Sequence, residues 1–157
     1  MSMRTAIDYA GRHEPAQKST GSAASSLHIL LVEDHASMRS ILRRMLHEAG
    51  VGQISEAEDG REALEFLKIN WHSLPDLVIS DLYMKHVDGL EFCRRMTARM
   101  RAASQDIPFL LLTGEQDIFI HDVARQVGAR AILTKPITQE ELLHEIGQII
   151  GFAVEAP

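Results

Sequence analysis

The sequence holds one cysteine, Cys93, in 157 residues. Neither an internal disulfide nor a thiolate-rich metal site can form, which suits a reducing compartment. Aromatic residues are scarce, at 5%. The single tryptophan, Trp71, lacks aromatic neighbours with basic flanks, so it reads as packing in a loop with Leu74 rather than as a stacking platform for bases. An excess of cations is missing too: 16 Lys and Arg stand against 22 Asp and Glu, a formal charge of -6. That balance argues against a phosphate-backbone binder, and no nucleic-acid partner is expected. The longest apolar runs, such as Phe109 to Leu112, fall far short of the roughly 20 residues of a membrane helix. The N-terminus carries no signal-peptide h-region. The expectation is a cytoplasmic protein with no membrane insertion. Eight histidines are present, but no two stand at the i, i+4 spacing of a helical zinc motif.

What is present reads as one domain with short tails. The length suits a single core, and 45% of the residues are hydrophobic. Residues 1–26 combine Gly11, Pro15, Gly21 and a polar run from Lys18 to Ser26 without apolar periodicity, so they read as a disordered tail. The tail carries one net positive charge and leaves -7 for the rest. Residues 27–150 form the body, and residues 151–157 a short C-terminal tail.

Within the body, short apolar runs alternate five times with longer amphipathic ones. His28 to Val32 is followed by Ser37 to Ala49, whose Met38, Ile41, Leu42, Met45, Leu46 and Ala49 share one helical face. A weaker strand, Gln53 to Ala57, precedes the Asp59-Gly60 turn and a helix through Ala63, Leu64 and Leu67. Leu77 to Ser80 pairs with a helix from Leu90 to Met100, and Phe109 to Leu112 with a helix from Ile118 to Val127. Ala131 to Leu133 and Glu140 to Ile150 complete the fifth pair. Continuous apolar strands separated by helices predict an α/β parallel sheet covered on both faces. For five strands the expected winding is the flavodoxin-like (βα)5 order 2-1-3-4-5.

Ligands of such sheets bind beyond the carboxyl ends of the strands. There the sequence places Glu33 and Asp34 after strand 1, Asp81 after strand 3, Thr113 after strand 4 and Lys135-Pro136 after strand 5. Glu56 and Glu58 end strand 2, which this winding puts at the sheet edge, so they are left out. Singly, Asp34 could cap a helix, Asp81 could be a solvated carboxylate, Thr113 a turn residue and Lys135 a surface charge. Their shared topological position outweighs those readings. Asp76, before strand 3, and Asp88, in an Asp-Gly turn, read as structural. Two carboxylates about 4 Å apart repel by roughly 1 kcal/mol in water and up to about 4 at an effective dielectric near 20. A divalent cation relieves that repulsion, and hard oxygen donors favour Mg2+. Lys135 and Thr113 then offer a cation and a hydroxyl suited to a phosphoryl group. The coherent chemistry is in-line phosphoryl transfer onto a carboxylate, with Asp81, on the central strand, as acceptor. His35, nearest the acidic pair, could modulate it, but reads first as a solvated ring.

These segments resemble the receiver domains of two-component response regulators, of the single-domain CheY-like type. HILLVEDHASMR is similar to the family's first strand with its acidic pair, and LVISDLYMKHVDGLEF to its phosphoacceptor strand and loop. LLLTGE, ILTKP and EAEDGREAL resemble the switch-hydroxyl, Lys-Pro and second-strand segments. The resemblance implies that a phosphohistidine donates to Asp81 and that Mg2+ is held by Glu33, Asp34, Asp81 and the Tyr83 backbone carbonyl. It further implies a phosphate-binding and switch set of Thr113, Gly114 and Lys135, and a cis Lys135-Pro136 bond. Met84-Lys85 stands where the family has Met-Pro, a change of loop stiffness. Tyr83 and Glu115 occupy positions that set phosphoryl lifetime, and Ile132 occupies the switch-aromatic position.

The expected function is a stand-alone response regulator. It takes a phosphoryl group from a sensor histidine kinase or phosphotransfer protein, and signals to a downstream protein through the face of the fourth helix, fifth strand and fifth helix. It catalyses only its own phosphorylation and dephosphorylation. A phosphorelay intermediate or phosphate sink is the alternative. A phosphorylation-independent pseudo-receiver is disfavoured by the retained Glu33, Asp34, Asp81, Thr113 and Lys135. A haloacid-dehalogenase-type phosphatase is disfavoured by Tyr83, where that family has a second aspartate.

Overall fold

Five apolar segments become strands: β1 (His28–Val32), β2 (Gln53–Ala57), β3 (Leu77–Asp81), β4 (Phe109–Thr113) and β5 (Ala131–Thr134). The computed structural model describes residues 20–114, 116, 118–151 and 153–155. Every residue of β1, β3 and β4 is buried, as continuous apolar character requires of strands covered on both faces. In β2 only Ala57 is buried, because that strand lies at the sheet edge. All pairings are parallel in the order β2-β1-β3-β4-β5, the flavodoxin-like winding that the sequence predicts.

The alternation of side chains along each strand sorts the core into two layers. Ile29, Leu31, Leu77, Ile79, Leu110 and Leu112 pack with α2 (Ala36–Glu48) and α6 (Gln139–Ile150), through residues such as Leu46 and Ile146. On the other face, Leu30, Val32, Val78, Phe109 and Leu111 meet α3 (Gly60–Ile69), α4 (Gly89–Ala102) and α5 (Ile118–Val127). Phe92 of α4 meets Phe109 edge-on, with ring centroids 5.3 Å apart. Trp71 packs at the margin of this layer, and the Arg99 guanidinium lies over its ring at 5.4 Å.

Among the described residues, three helices begin with a side-chain cap. Asp59 accepts from the Glu62 backbone N–H at 2.8 Å, and Asp88 from that of Glu91 at 2.9 Å. Thr138 and Glu141 form a capping box. Asp88 is therefore structural, and so is Asp76, whose Oδ2 accepts from the His28 backbone N–H at 2.8 Å. By contrast α2 starts at His35, whose side chain makes no capping bond.

The structure departs from the sequence reading at the ends of elements. Strands β3, β4 and β5 each run one residue further, because interstrand hydrogen bonds continue into polar residues that carry no hydrophobic signal. Residues 1–19 of the expected tail lie outside the described residues, whereas Thr20–Ser25 form a short helix, α1. Ala24 is buried, and its carbonyl accepts from Gly52 N–H at 3.2 Å, which ties this part of the tail to the start of β2. At the other end Gly151 takes a left-handed φ of 83°, and Val154 returns to the α2–α6 layer of the core. The C-terminal tail is thus anchored by an apolar side chain. With α1 counted, the fourth and fifth helices of the sequence reading are α5 and α6.

Gly89 shows what the loop after β3 demands. Its N–H donates to the Leu82 carbonyl at 2.7 Å, and a Cβ there would collide with the Asp81 backbone carbonyl. Around Gly114 a Cβ would meet no atom within 4 Å. Gly89→Ala is expected to lower unfolding free energy in urea by about 1–3 kcal/mol, and Gly114→Ala to change it by less than about 0.5 kcal/mol.

Candidate functional site

Three backbone hydrogen bonds fix the polar edge of the sheet. Glu33 N–H donates to Ala57 O at 3.1 Å, Leu82 N–H to Leu112 O at 2.9 Å, and Lys135 N–H to Thr113 O at 2.7 Å. Glu33, Asp81 and Lys135 continue the alternation of Leu31, Ile79 and Leu133, residues of the α2–α6 layer. They meet as that phase predicts. Lys135 Nζ lies 2.8 Å from Asp81 Oδ1 and 3.3 Å from Glu33 Oε2. Glu33 is fully buried and Asp81 nearly so. The Lys135–Pro136 bond is cis.

Burial is the largest influence on Lys135 and disfavours its ammonium, but the hydrogen bond and charge of Asp81, followed by Glu33, outweigh it. The net effect raises its pKa above the ordinary 10.5. A raised folded value means that this stabilisation is complete below the ordinary lysine pKa and is lost as pH climbs through the folded one. The ammonium is therefore charged at neutral pH.

Asp34 and His35 complete the opposite flank. Asp34 Oδ1 is buried without a hydrogen-bond partner. His35 Nδ1 stands 3.0 Å from it without hydrogen-bond alignment, and hydrogen-bonds Glu33 Oε1 at 3.2 Å, an oxygen that also accepts from the His35 backbone N–H at 3.1 Å. The ring is 73% exposed, yet it is turned to both carboxylates rather than to water alone. Sequence reasoning missed this contact. It missed Arg39 as well, whose Nη1 donates to the Glu33 carbonyl at 2.7 Å. Glu56 and Glu58 stay outside the cluster but hold Arg39, at 3.6 and 3.8 Å.

The remaining predicted residues lie at or near the ends of β3, β4 and β5. Thr113 is fully buried at the end of β4, paired with Thr134. By alternation it follows Leu111 toward the face on which Ile132 packs, half-buried. Gly114 is exposed, and Tyr83 directs a 58% exposed side chain outward. Glu115 lies outside the described residues.

The donor set fits a divalent cation. One ligand atom from each of Glu33, Asp34, His35 and Asp81 falls within 4.8 Å of the others. A cation would supply the partner that Asp34 Oδ1 lacks and offset the repulsion among three carboxylates.

Known proteins share this sequence pattern and fold. The family described as response regulator receiver domain matches residues 29–147. Response regulator MprA of Mycolicibacterium vanbaalenii is 37% identical over 115 residues, which cover 73% of this chain and 46% of the relative. The chain thus spans about half the length of the curated relatives it matches. The chemotaxis protein CheY4 of Vibrio cholerae is similar in structure with a TM-score of 0.69 at 32% identity, over 78% of this chain and 98% of that one. A CheX–CheY–BeF3–Mg2+ complex from Borrelia burgdorferi gives a TM-score of 0.70 over 78% of this chain and 88% of that one. At 20% identity that likeness concerns the fold.

Saturating Mg2+ is expected to raise the melting temperature by about 5–10 °C, since a ligand at 100 times its Kd stabilises by about 2.7 kcal/mol. Asp34→Asn should melt higher than the intact chain without metal, because one repelling charge is gone, and should lose most of the Mg2+ gain. Differential scanning fluorimetry with and without Mg2+ measures both.

Proposed function

Because the chain belongs to the response regulator receiver domain family of two-component signalling, we propose that Asp81 accepts a phosphoryl group from the phosphohistidine of a sensor kinase or phosphotransfer protein. The observation that carries this reading is the 2.8 Å contact between Lys135 Nζ and Asp81 Oδ1 beside buried Glu33. With Oδ1 engaged, Oδ2 is the attacking oxygen. The new P–O bond forms on Asp81 as the P–N bond breaks, and the donor imidazole keeps the bonding pair. Lys135 follows the charge onto the transferred oxygens, and the Thr113 hydroxyl and Gly114 N–H receive the others. Glu33, Asp34 and Asp81, with the Tyr83 carbonyl, would hold Mg2+, which supplies neutralising charge at the phosphoryl oxygens. The domain is a signalling relay rather than an enzyme with an external substrate.

Output then passes by protein contact through the face of α5, β5 and α6, where Ile118 and Phe119 are both more than two-thirds exposed. The chain acts as a stand-alone cytoplasmic regulator in this reading. Among the described residues no helix is long and apolar enough to cross a membrane. Ile132 favours a second reading, a phosphorelay intermediate or phosphate sink. A β-branched side chain, stiff at its first torsion, lacks the rotamer swing by which an aromatic would couple Thr113 to that face.

Incubation with phosphorylated sensor kinases should move the label to the intact chain and leave Asp81→Asn unlabelled at unchanged far-UV circular dichroism. Equal labelling of Asp81→Asn would remove Asp81 as the acceptor.

A further inference from the structure

The turn from β1 into α2 carries both Glu33 and Asp34, and its backbone is held from two sides. Glu33 N–H donates to Ala57 O at 3.1 Å, and Arg39 Nη1 donates to the Glu33 carbonyl at 2.7 Å. We propose that Arg39 is a positioning residue for the cation pocket, which fixes the Glu33–Asp34 peptide and so aims the Asp34 carboxylate at the ion. The proposal rests on the reading of the acidic pocket as a Mg2+ site and adds a residue that acts there through Asp34 rather than as a ligand.

Helix energetics alone disfavour an arginine at this position. It is the fourth residue of α2, in a first turn that has neither an acidic residue nor a side-chain cap, and a cation near a helix N-terminus opposes the dipole. By contrast α3, α4 and α6 each place glutamate in the first turn. What holds Arg39 there is the end of β2. Its mostly buried guanidinium faces Glu56 with Nε at 3.6 Å and Glu58 with Nη2 at 3.8 Å, which leaves Nη1 for the carbonyl. A rigid planar fork serves three directions at once, as a lysine ammonium on a flexible stem would not. The carbonyl that it grips belongs to a planar peptide, so fixing the oxygen also fixes the nitrogen of Asp34. Asp34 then keeps only its own torsions, and its Oδ1 stays buried and without a hydrogen-bond partner among Glu33, His35 and Asp81.

Charge and position act on the ion in opposite directions, which makes the role separable. A guanidinium near the pocket repels Mg2+, so removing its charge alone would tighten binding. Releasing the turn lets Asp34 swing away and loosens binding. Groups that orient metal ligands are commonly worth about 10–100-fold in affinity, and Glu56 and Glu58 screen the guanidinium charge. Position therefore outweighs charge.

Calorimetric titration of the intact chain, Arg39→Met and Arg39→Lys with MgCl2 tests this, together with the backbone amide resonance of Asp34 in each metal-free chain. Arg39→Met keeps the length of the side chain and removes its donors; it should weaken Mg2+ by about tenfold and shift the Asp34 amide. Arg39→Lys keeps the charge and one donor and should fall between the two. Should Arg39→Met fail to fold by far-UV circular dichroism, Arg39→Lys carries the test, because at unchanged charge its affinity must lie below that of the intact chain. Unchanged or tighter Mg2+ binding in the folded variant, or weaker binding with an unmoved Asp34 amide, would overturn the proposal while the cation site stands. Failure of Mg2+ to bind the intact chain would overturn the cation site and the proposal together.

Discussion

The ammonium of Lys135 is the interaction on which the polar edge of this sheet depends. It joins β5 to β3 and β1 through Asp81 and Glu33 at 2.8 and 3.3 Å. In the order β2-β1-β3-β4-β5, β4 lies between β5 and β3, so the lysine must cross two strand spacings, about 9–10 Å. A long unbranched side chain reaches across β4, and a short one would not. The lysine also offsets the mutual repulsion of carboxylates that the strand ends force together. Packing of α2 and α6 on the same face encloses the pair, which is why both acids are buried.

That charge cluster sits uneasily in a folded protein, and the local exceptions gather around it. The buried Asp34 oxygen without a hydrogen-bond partner is next to the one helix start, among those with a resolved cap, that lacks a side-chain cap. Arg39 restrains the Glu33 carbonyl, with Glu56 and Glu58 behind it. A buried polar atom without a partner would be a fault elsewhere, and in a cluster of three carboxylates it fits a place for a cation. Lys135 holds one side of the cluster, against Asp81 and Glu33, and His35 the other, beside Glu33 and Asp34.

Much of this was legible in the residues. Runs such as ILLV and LLL are apolar at every position, and such strands belong inside a parallel sheet covered twice. The phase of alternation then aims Glu33, Asp81 and Lys135 to one side, while Thr113 follows Leu111 to the other. His35 was not legible, because an exposed histidine gives no pattern, and its orientation is fixed by contacts with Glu33 and Asp34. Arg39 was hidden for a related reason: it lies within an amphipathic helix where arginine is ordinary, and its partners come from a different strand. The α1 helix and Val154 escaped notice because six residues, or one valine, are too few to set up a period.

The central claim is that this edge exists to place a phosphoryl group on Asp81. Its most direct measurement is chemical mapping: phosphorylation with acetyl phosphate, borohydride reduction of the acyl phosphate, and peptide mass spectrometry. The account predicts conversion of Asp81 alone to homoserine. Conversion at Asp34 or Glu33, or an unmodified chain under conditions in which Mg2+ binds, would contradict it.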